Sequence, residues 1–258
     1  MILTGKNVVI TGASSGIGKA LALQFAKAGC SLVLLSRRIE ELEVVAQEVS
    51  KYHVIVKIYK CDVSNKEEVE KVFIQIKKFF HSIDILVLNA GVSFRTDVRK
   101  DESAKAIQTF AVNVLGMIFC ANQVIPDFIQ AKKGMIVGVS SLAESRGFPR
   151  SGFYCASKAA ASTYLESLRV ELKRFNVKVL TVKPGFVKTP MTDKNEFDMP
   201  FIIPVEKAVK IIIEGIKKEK KIIQFTFGAV LGIKIIKMLP DGLFDLLSQR
   251  QLKNPLKK

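Results

Sequence analysis

Short runs of aliphatic residues alternate with longer amphipathic segments over most of the chain. The runs at 8–10 and 32–35 contain only valine, isoleucine and leucine, which is typical of parallel strands buried on both faces. Between the runs, apolar residues recur at the spacing of one helical face, as Leu21, Phe25 and Ala28 do. The pattern therefore predicts alternating strands and helices. We expect strands at 8–10, 32–35, 54–59, 83–88, 134–139, 177–182 and 222–225. We expect helices from the first glycine turn to Gly29 and at 40–50, 103–119, 154–176 and 205–219. A further helix should begin at a cap at Ser64 or Asn65 and continue through Phe80.

This order of elements predicts the sheet and the number of domains. Because a helix follows each of the first strands, the sheet should be parallel, with its binding edge at the carboxyl ends of the strands. The 258 residues are 48% hydrophobic and contain no linker, repeat or low-complexity segment. We therefore predict one domain over residues 1–258. It should be a doubly wound α/β domain, with a central parallel sheet of about seven strands and helices on both faces.

Cysteine and histidine usage bears on localisation and metal binding. Cys30, Cys61, Cys120 and Cys155 are widely spaced and include no C-x-x-C pair, and the chain has two histidines. This arrangement favours reduced thiols in a cytoplasmic protein and indicates no metal site. Near Met1 no basic region precedes an apolar run of signal length, so we expect no export signal.

The formal charge of +16 at pH 7 could suit an anionic partner. The lysines are scattered over several predicted helices and are not interleaved with aromatic residues, as a surface that stacks single-stranded nucleic acid would require. We interpret the charge as a solvated basic surface and expect no nucleic-acid partner. A nucleic-acid binder is the alternative, and steep salt dependence of oligonucleotide binding would be its sign.

Three closely spaced glycines, Gly12, Gly16 and Gly18, end the first strand and begin the first helix. Glycine lets the backbone turn sharply and approach a ligand, and the open N–H groups of a helix start favour an anion such as a pyrophosphate. The spacing is not G-x-G-x-x-G, and Ala13 and Ala20 stand where a P-loop needs glycine and a hydroxyl residue. We therefore predict a dinucleotide site, with a glycine-rich turn that binds no ligand as the alternative.

The end of the second strand bears on which dinucleotide is bound. Ser36 ends this strand, and Arg37 and Arg38 follow. In dinucleotide-binding folds an acidic residue near this position holds the ribose of NAD, whereas an arginine accommodates the 2′-phosphate of NADP. A guanidinium can bind that phosphate through charge-assisted hydrogen bonds, and a carboxylate would repel it. The sequence thus favours NADP(H); two solvated arginines at a helix start would leave the missing acid unexplained.

Chemistry-bearing side chains should meet at the same edge of the sheet. Those that follow other predicted strands are Asp62, Asn89 and Ser141. Tyr154 and Lys158 lie four residues apart on the next helix and share a face. An ammonium near a phenol favours the phenolate and lowers the pKa of the phenol, which suits general acid–base catalysis. Asn113 interrupts an apolar helix, where a buried amide is usually structural, so only the combination indicates a catalytic site.

Together these residues resemble the signatures of the short-chain dehydrogenase/reductase family over nearly the whole chain. The matching stretches are T-G-A-S-S-G-I-G from Thr11, D-V at Asp62, N-A-G at Asn89, N-V-L-G at Asn113, Ser141, Y-x3-K from Tyr154 to Lys158, and P-G at Pro184 with Thr189. The resemblance implies a Rossmann-type fold and four catalytic residues. It implies that Tyr154 transfers the carbonyl or hydroxyl proton and that Ser141 hydrogen-bonds the substrate oxygen. Lys158 would bind the nicotinamide ribose and tune Tyr154, and Asn113 would anchor a water relay.

The resemblance also implies the contacts to the cofactor. Asp62 and Val63 would contact adenine, Asn89 would lie beside its ribose, and Thr189 would meet the nicotinamide carboxamide. One departure from the family pattern is Leu88, where the family often has asparagine, and we expect only a local change there. The full predicted cofactor-binding set is Gly12, Ser14, Ser15, Gly16, Ile17, Gly18, Ser36, Arg37, Arg38, Asp62, Val63, Asn89, Ala90, Gly91, Tyr154, Lys158, Pro184, Gly185, Val187 and Thr189.

Apolar residues dominate the loops expected beside the site. They are Val92, Phe94, Leu142, Phe148, Phe153, Phe186, Met191, Phe197, Met199, Phe201 and Ile202. This set favours an apolar or lipid-like carbonyl substrate, and we predict that 186–203 is the substrate loop. The predicted function is an NADP(H)-dependent oxidoreductase, a homodimer or homotetramer, that interconverts a ketone and a secondary alcohol. The alternative is a non-catalytic NADP(H)-binding regulatory protein, whose usual sign would be loss of Tyr154 or Lys158.

An apolar and basic extension occupies 226–258. Lys234, Lys237 and Pro240 interrupt it before the ~20 apolar residues that a membrane-spanning helix needs. One helical side can present apolar residues with the lysines at its boundary, so we predict that the extension contacts a membrane peripherally or covers the substrate entrance. Packing on the domain, or a contact between copies, is the alternative. The apolar residues of that side are Leu231, Ile235, Met238 and Leu239.

Overall fold

The main sheet confirms the predicted α/β architecture. The structure, a computed structural model, describes residues 1–195 and 197–249. Seven strands pair in parallel in the order β3-β2-β1-β4-β5-β6-β9. The order reverses beside β1, as expected of a doubly wound sheet. Its strands are β1 (Asn7–Thr11), β2 (Ser31–Ser36), β3 (Val56–Lys60), β4 (Ile85–Leu88), β5 (Met135–Val139), β6 (Lys178–Lys183) and β9 (Ile222–Gln224).

The helices follow the predicted order, with one difference in length. The helix expected at 103–119 continues to Ala131 and contains a π-helical segment, Ala111–Leu115. Pro126 lies inside this helix, where the sequence pattern gave no continuous helical signal. The α-helices are α1 (Gly16–Lys27), α2 (Ile39–Ser50), α3 (Lys66–Phe80), α4 (Ser103–Phe110), α5 (Gly116–Ala131), α6 (Gly152–Leu172), α7 (Val205–Lys217), α8 (Phe227–Met238) and α9 (Asp241–Gln249).

Two apolar clusters cover the two faces of the sheet. Successive side chains of a strand point to opposite faces, so Val8 and Ile10 join one cluster and Val9 joins the other. Helices α1, α2 and α7 contribute to the first cluster, for example through Phe25. Helices α3, α5 and α6 contribute to the second, for example through Phe73. This confirms helices on both faces.

The continuous helix Ser103–Ala131 packs on one face of the sheet. Among the described residues, it is the one helix whose length and mean hydropathy of 1.5 would allow a membrane span. Its apolar side instead packs inside the domain, where Cys120, Ala121 and Val124 are fully buried. We therefore interpret it as a core helix.

The cysteines are separate, and each is buried as a free thiol. Within residues 1–195 and 197–249, no group of three or more His, Cys, Asp or Glu side chains is arranged to hold a metal ion. Burial raises the pKa of the Cys30 thiol to about 11 and that of the Cys61 thiol to about 12. These two thiols are therefore protonated at neutral pH.

The C-terminal part of the chain contains elements that periodicity did not predict. Two short strands, β7 (Val187–Lys188) and β8 (Ile203–Pro204), pair in parallel and close the segment 186–203 into a loop. Helix α8 ends at Met238, so the prediction that Leu239 shares its apolar side is wrong. Leu239 has extended backbone because it precedes Pro240, which disfavours helical backbone in the residue before it. Residues 250–258 of the predicted extension lie outside the described residues.

A cap on α3 can be tested by mutation. The side chain of Asn65 accepts a hydrogen bond from the Glu68 N–H (3.0 Å), which identifies Asn65, and not Ser64, as the cap. Asn65→Ala leaves this N–H without its partner, so the free energy of unfolding, measured by urea titration, should fall by about 1 kcal/mol. Asn65→Ser keeps a capping oxygen and should retain most of the stability. An equal loss in both variants would contradict the capping role.

Candidate active site

In the glycine turn between β1 and α1, the backbone packs closely against itself and against the backbone at Ala90. A Cβ on Gly12 would lie 2.7 Å from the Ala90 Cα, and Gly12 has φ +65°. A Cβ on Gly18 would lie 2.2 Å from the Gly12 carbonyl oxygen. Both positions therefore exclude every larger residue. Gly16, with φ +55°, lies against Thr189, whose Cγ2 is 3.4 Å from the position of a Gly16 Cβ.

The start of α1 fits the phosphates of a dinucleotide. Its first turn carries no acidic residue, and Ser15 at the cap position makes no side-chain cap. The first N–H groups and the positive end of the helix dipole are thus left to an anion. Ile17, one of the predicted cofactor-binding residues, packs against the core beside this turn.

A basic pair lies beside the turn, as the sequence predicts. Arg38 Nη2 donates to the hydroxyls of Ser14 and Ser15, each at 2.8 Å, and Ser36 donates to Ser14 at 2.9 Å. The guanidinium of Arg37 lies 3.7 Å from a carboxylate oxygen of Asp62 and is about half exposed. Two arginines thus lie beside the end of β2, and Ser36 there carries no acidic side chain.

The residues at the end of β4 are held by β1. Thr11 accepts hydrogen bonds from the backbone N–H groups of Asn89 and Ala90, at 3.0 and 3.1 Å. The Asn89 amide donates to the carbonyl oxygens of Thr11 and Gly12, at 3.0 and 3.1 Å. In this structure Asn89 therefore fixes the glycine turn to the neighbouring strand. The replacement of a family asparagine by Leu88 is accommodated, since Leu88 is buried in the core.

Asn113 lies in the π-helical segment and is fully buried. Its amide accepts from the Val92 N–H at 2.8 Å and donates to the Val92 carbonyl at 2.9 Å and to Ser157 at 3.0 Å. These bonds pin the loop after β4 to α6. The side chain therefore has the contacts of a structural amide, and a water relay stays a prediction.

Lys158 and Tyr154 face the same space from α6. Lys158 Nζ donates to the Val139 carbonyl at 2.9 Å and lies 5.8 Å from the centre of the Tyr154 ring. A Cβ on Gly91 would be 3.4 Å from both Lys158 Nζ and Asn113 Oδ1. The structure thus brings together the catalytic residues that the sequence predicts on α6 and at Asn113. Burial lowers the pKa of Lys158 to about 8, against the opposing effect of Glu144.

The hydroxyl of Ser141 lies near the phenol of Tyr154 and acts to lower the pKa of that phenol. Ser141 also accepts from the Ala143 N–H at 3.1 Å, which leaves its own hydrogen free to donate. The expected lowering of the Tyr154 pKa by Lys158 is not found. Burial raises the pKa of Tyr154 above its usual value, and Ser141 offsets only part of that effect.

The remaining predicted cofactor residues lie around the same edge. Pro184 accepts from the Leu142 N–H at 2.9 Å, so the loop after β6 rests on the turn after β5. Val187 is buried in β7, and Thr189 follows it against the glycine turn. Val63 packs on the helix at Gly116, where a Cβ would lie 2.7 Å from its side chain.

Several polar residues of the site were missed by sequence reasoning. Glu144, on the 3₁₀ turn Leu142–Ser145, receives hydrogen bonds from Ser140, Ser162 and Lys183. One signal was present: Lys183 ends an otherwise apolar strand directly before Pro184. Nothing in the sequence indicated that a residue 39 positions earlier was its partner.

The C-terminal extension rests on the loops beside the site. The rings of Phe148 and Phe244 pack edge-on, with centroids 6.2 Å apart, and the Arg146 guanidinium lies 4.2 Å from the centre of the Phe244 ring. A Cβ on Gly228 would lie 2.6 Å from the Phe201 ring. Of the predicted substrate residues, Phe186 and Phe197 also pack edge-on, at 5.8 Å. Aromatic side chains thus dominate this side of the site.

Comparison with known proteins identifies the family. The family model for short chain dehydrogenases matches residues 6–199. The chain belongs to this family, as its motifs indicated, and is therefore an oxidoreductase whose fold binds nicotinamide cofactors. Members typically bind small-molecule substrates and form oligomers.

Individual relatives differ in the cofactor and substrate that their names give. The chain is 38% identical over 190 residues to an NADP-dependent 3-hydroxy acid dehydrogenase of Schizosaccharomyces pombe, covering 72% of this chain and 73% of the relative. It is 30% identical over 252 residues to human 17-beta-hydroxysteroid dehydrogenase 13, covering 96% and 84%. A Burkholderia phymatum short chain dehydrogenase/reductase solved with NAD matches with a TM-score of 0.85 at 23% identity over 100% of both chains, which shows the fold alone.

Proposed function

We propose that the protein is an NADP(H)-dependent enzyme that interconverts a ketone and a secondary alcohol on an apolar or lipid-like substrate. The observation that carries this proposal is the meeting of Ser141, Tyr154 and Lys158 beside the glycine turn. A bound nicotinamide would supply or accept the hydride. The protein would bind and orient both molecules and move the proton.

The proton chemistry follows from the environment of Tyr154. Its raised pKa keeps the phenol protonated at neutral pH, so Tyr154 can donate a proton to a carbonyl oxygen in the reducing direction. Ser141 lies near the same phenol and would bind the substrate oxygen. Lys158, as an ammonium below pH about 8, would stabilise the phenolate that proton donation leaves.

The preference for NADP(H) rests on the basic pair. Relatives with NAD and with NADP both occur, so the fold does not decide the cofactor. The guanidinium of Arg37 has a single, long ion pair to Asp62 and is half exposed, which leaves it available to a 2′-phosphate. Arg38 is already held by Ser14 and Ser15, which suits it to shaping the phosphate pocket. Residues 186–203 supply the substrate loop of this single-domain enzyme.

The competing function is that of a non-catalytic NADP(H)-binding regulatory protein. It shares the cofactor site but needs no proton path. The intact arrangement of Ser141, Tyr154 and Lys158 favours the enzyme. Purified protein assayed with NADPH against 3-keto lipids, steroids and small aldehydes separates the two, because a regulator turns over none of them.

NADPH should bind more tightly than NADH. Arg37→Ala should weaken NADPH binding by about 1–3 kcal/mol, because a charge-assisted phosphate contact is lost, and should leave NADH binding nearly unchanged. Isothermal titration calorimetry measures both dissociation constants.

Arg38→Ala is the matched control for Arg37→Ala. It removes the contacts to Ser14 and Ser15, so it should weaken both cofactors by disturbing the glycine turn. Equal dissociation constants for NADPH and NADH in the natural protein would refute the cofactor proposal. If Arg38→Ala alone weakened NADPH binding selectively, the phosphate contact would be assigned to Arg38 instead of Arg37.

Tyr154→Phe should abolish turnover and leave NADPH binding nearly intact, because the ring stays and only the acidic hydroxyl is removed. The control is Tyr164→Phe, the same change on the same helix but away from the site, which should keep its activity. Steady-state rates and NADPH titrations report the two properties. Substantial turnover by the Tyr154 variant would show that another group transfers the proton.

We further propose that this cytoplasmic enzyme contacts anionic membranes through α8. Four residues at helical spacing form an exposed apolar stripe, and Lys234 and Lys237 are exposed along its edge. An interfacial helix combines such a stripe with basic residues that meet anionic head groups. The stripe consists of Phe227 (84% exposed), Leu231 (46%), Ile235 (55%) and Met238 (84%).

Other positions of α8 contact the site loops, through Gly228 against Phe201 and Ala229 against Gly185. The helix would thus lie between a membrane and the substrate entrance, which supports a lipid-like substrate. The name of the human relative, a hydroxysteroid dehydrogenase, also supports an apolar substrate. The competing arrangement is a homodimer or homotetramer in which a second copy covers the stripe.

Liposome flotation tests the membrane contact. The protein should float with anionic vesicles at low salt, and a Phe227→Ser/Met238→Ser variant should float less, because exposed apolar area is lost. A Val98→Ser/Val170→Ser variant changes two exposed valines elsewhere and should float normally. If the natural protein stays soluble with vesicles and the Ser pair instead lowers its oligomeric mass, a second copy covers the stripe.

A further inference from the structure

A largely buried carboxylate lies behind Ser141. Glu144 Oε2 accepts hydrogen bonds from the hydroxyls of Ser140, at 2.9 Å, and Ser162, and Glu144 Oε1 forms an ion pair with Lys183 Nζ. The side chains of Glu144 and Lys183 are 14% and 17% exposed. Neither residue belongs to the site that the sequence predicts.

The partners of Glu144 come from the three elements that carry the site. Ser140 follows β5 and directly precedes Ser141. Ser162 lies on α6, one helical turn beyond Lys158. Lys183 ends β6, directly before Pro184 and the cofactor loop. The Glu144 carboxylate therefore connects the turn that carries Ser141, helix α6 and the end of β6 before Pro184.

Further bonds tie the same elements together around the carboxylate. The Ser140 hydroxyl also lies 2.9 Å from the Lys158 carbonyl oxygen. The Ser140 N–H donates to the Val182 carbonyl at 2.8 Å. The Glu144 carboxylate thus adds charge-assisted side-chain bonds to a frame of backbone bonds, and such bonds are stronger than neutral ones.

A charge buried at this depth is stable only when it is paired and hydrogen-bonded. Lys183 supplies the pairing, and the two serines occupy the second carboxylate oxygen. The negative charge also acts on Lys158, since Glu144 raises the pKa of Lys158 while burial lowers it. The pair therefore affects both the geometry and the charge of the site.

We propose that Glu144 and Lys183 are positioning residues, which fix the Ser141 turn against α6 and β6 and place a buried ion pair beside the helix that carries Lys158. This role rests on the proposed function. The titratable and charged groups that face Lys158 are Tyr154 on its own helix, Glu144 from the 3₁₀ turn, and Lys183 from β6 through its ion pair. The groups that approach from the loop after β4 and from the π-helical segment, Gly91 and Asn113, carry no charge.

Opposite charge changes at the two positions test the proposal. Glu144→Gln removes a negative charge and should move the alkaline decline of the reductase rate to lower pH, by about one pH unit. Lys183→Gln removes a positive charge from the same cluster and should move the same decline to higher pH. Lys183→Arg keeps the ion pair and should leave the profile in place.

A merely structural role predicts a different result. Loosening of the turn would lower kcat in both Gln variants without shifting their pH profiles in opposite directions. Unchanged profiles, or shifts in the same direction, would therefore overturn the electrostatic part of the proposal. A Glu144→Gln variant with unchanged kcat and KM at its optimum would overturn the positioning part.

A titration that needs no turnover separates this proposal from the proposed function. NMR of lysine-labelled protein without cofactor should show a lysine that titrates near pH 8 and disappears in Lys158→Met. Its midpoint should fall in Glu144→Gln and rise in Lys183→Gln. Opposite shifts without any turnover would refute the proposed function alone, whereas turnover with a fixed midpoint would refute this inference alone.

Discussion

The register of the parallel strands at their carboxyl edge brings together the functional side chains that end or follow these strands. Ile10 pairs with Val87, Leu88 with Gly138, and Val139 with Val182. The next residues of these strands are therefore neighbours, which brings Thr11, Asn89, Ser140 and Lys183 to one edge of the sheet. A slip of one residue in any strand would turn its side chains to the other face and separate the site. The apolar clusters on both faces fix the register, so the core positions the chemistry.

Buried polar groups at this edge are stable because each has partners. Asn113 is satisfied by Val92 and Ser157, and Lys158 by the Val139 carbonyl. Among the described residues, no buried side-chain nitrogen or oxygen atom lacks a hydrogen-bond partner. An unpaired buried group would cost about 1–3 kcal/mol, so this pairing is needed for stability. The same bonds hold the site rigid, because each one joins two different elements.

Local sequence patterns predicted the local features well. The aliphatic runs gave all seven strands of the main sheet, and the glycine spacing gave the turn at Gly12–Gly18, because both depend on neighbouring residues. The order of elements was enough to predict the doubly wound sheet. Family motifs gave the residues that meet at the site, although their roles stay predictions.

The features that sequence reasoning missed depend on distant contacts. The helix that continues to Ala131 across Pro126 is held by packing on the sheet, which periodicity alone does not report. The Glu144–Lys183 pair joins residues 39 positions apart. The direction of the Tyr154 pKa was wrong because spacing shows a nearby cation but not the loss of solvent, and here burial dominates.

The attachment of the C-terminal extension shows how the substrate side can vary while the chemistry stays fixed. The extension contacts the body through ring packing at Phe148 and Phe244 and through Arg146, whose ion pair with Asp241 is at the exposed surface and adds little. By contrast, Ser141, Tyr154 and Lys158 belong to elements joined by buried hydrogen bonds. Apolar packing at the surface tolerates changes of shape more easily than a buried polar network does. The substrate side can therefore adapt to different apolar molecules without disturbing the groups that move the proton.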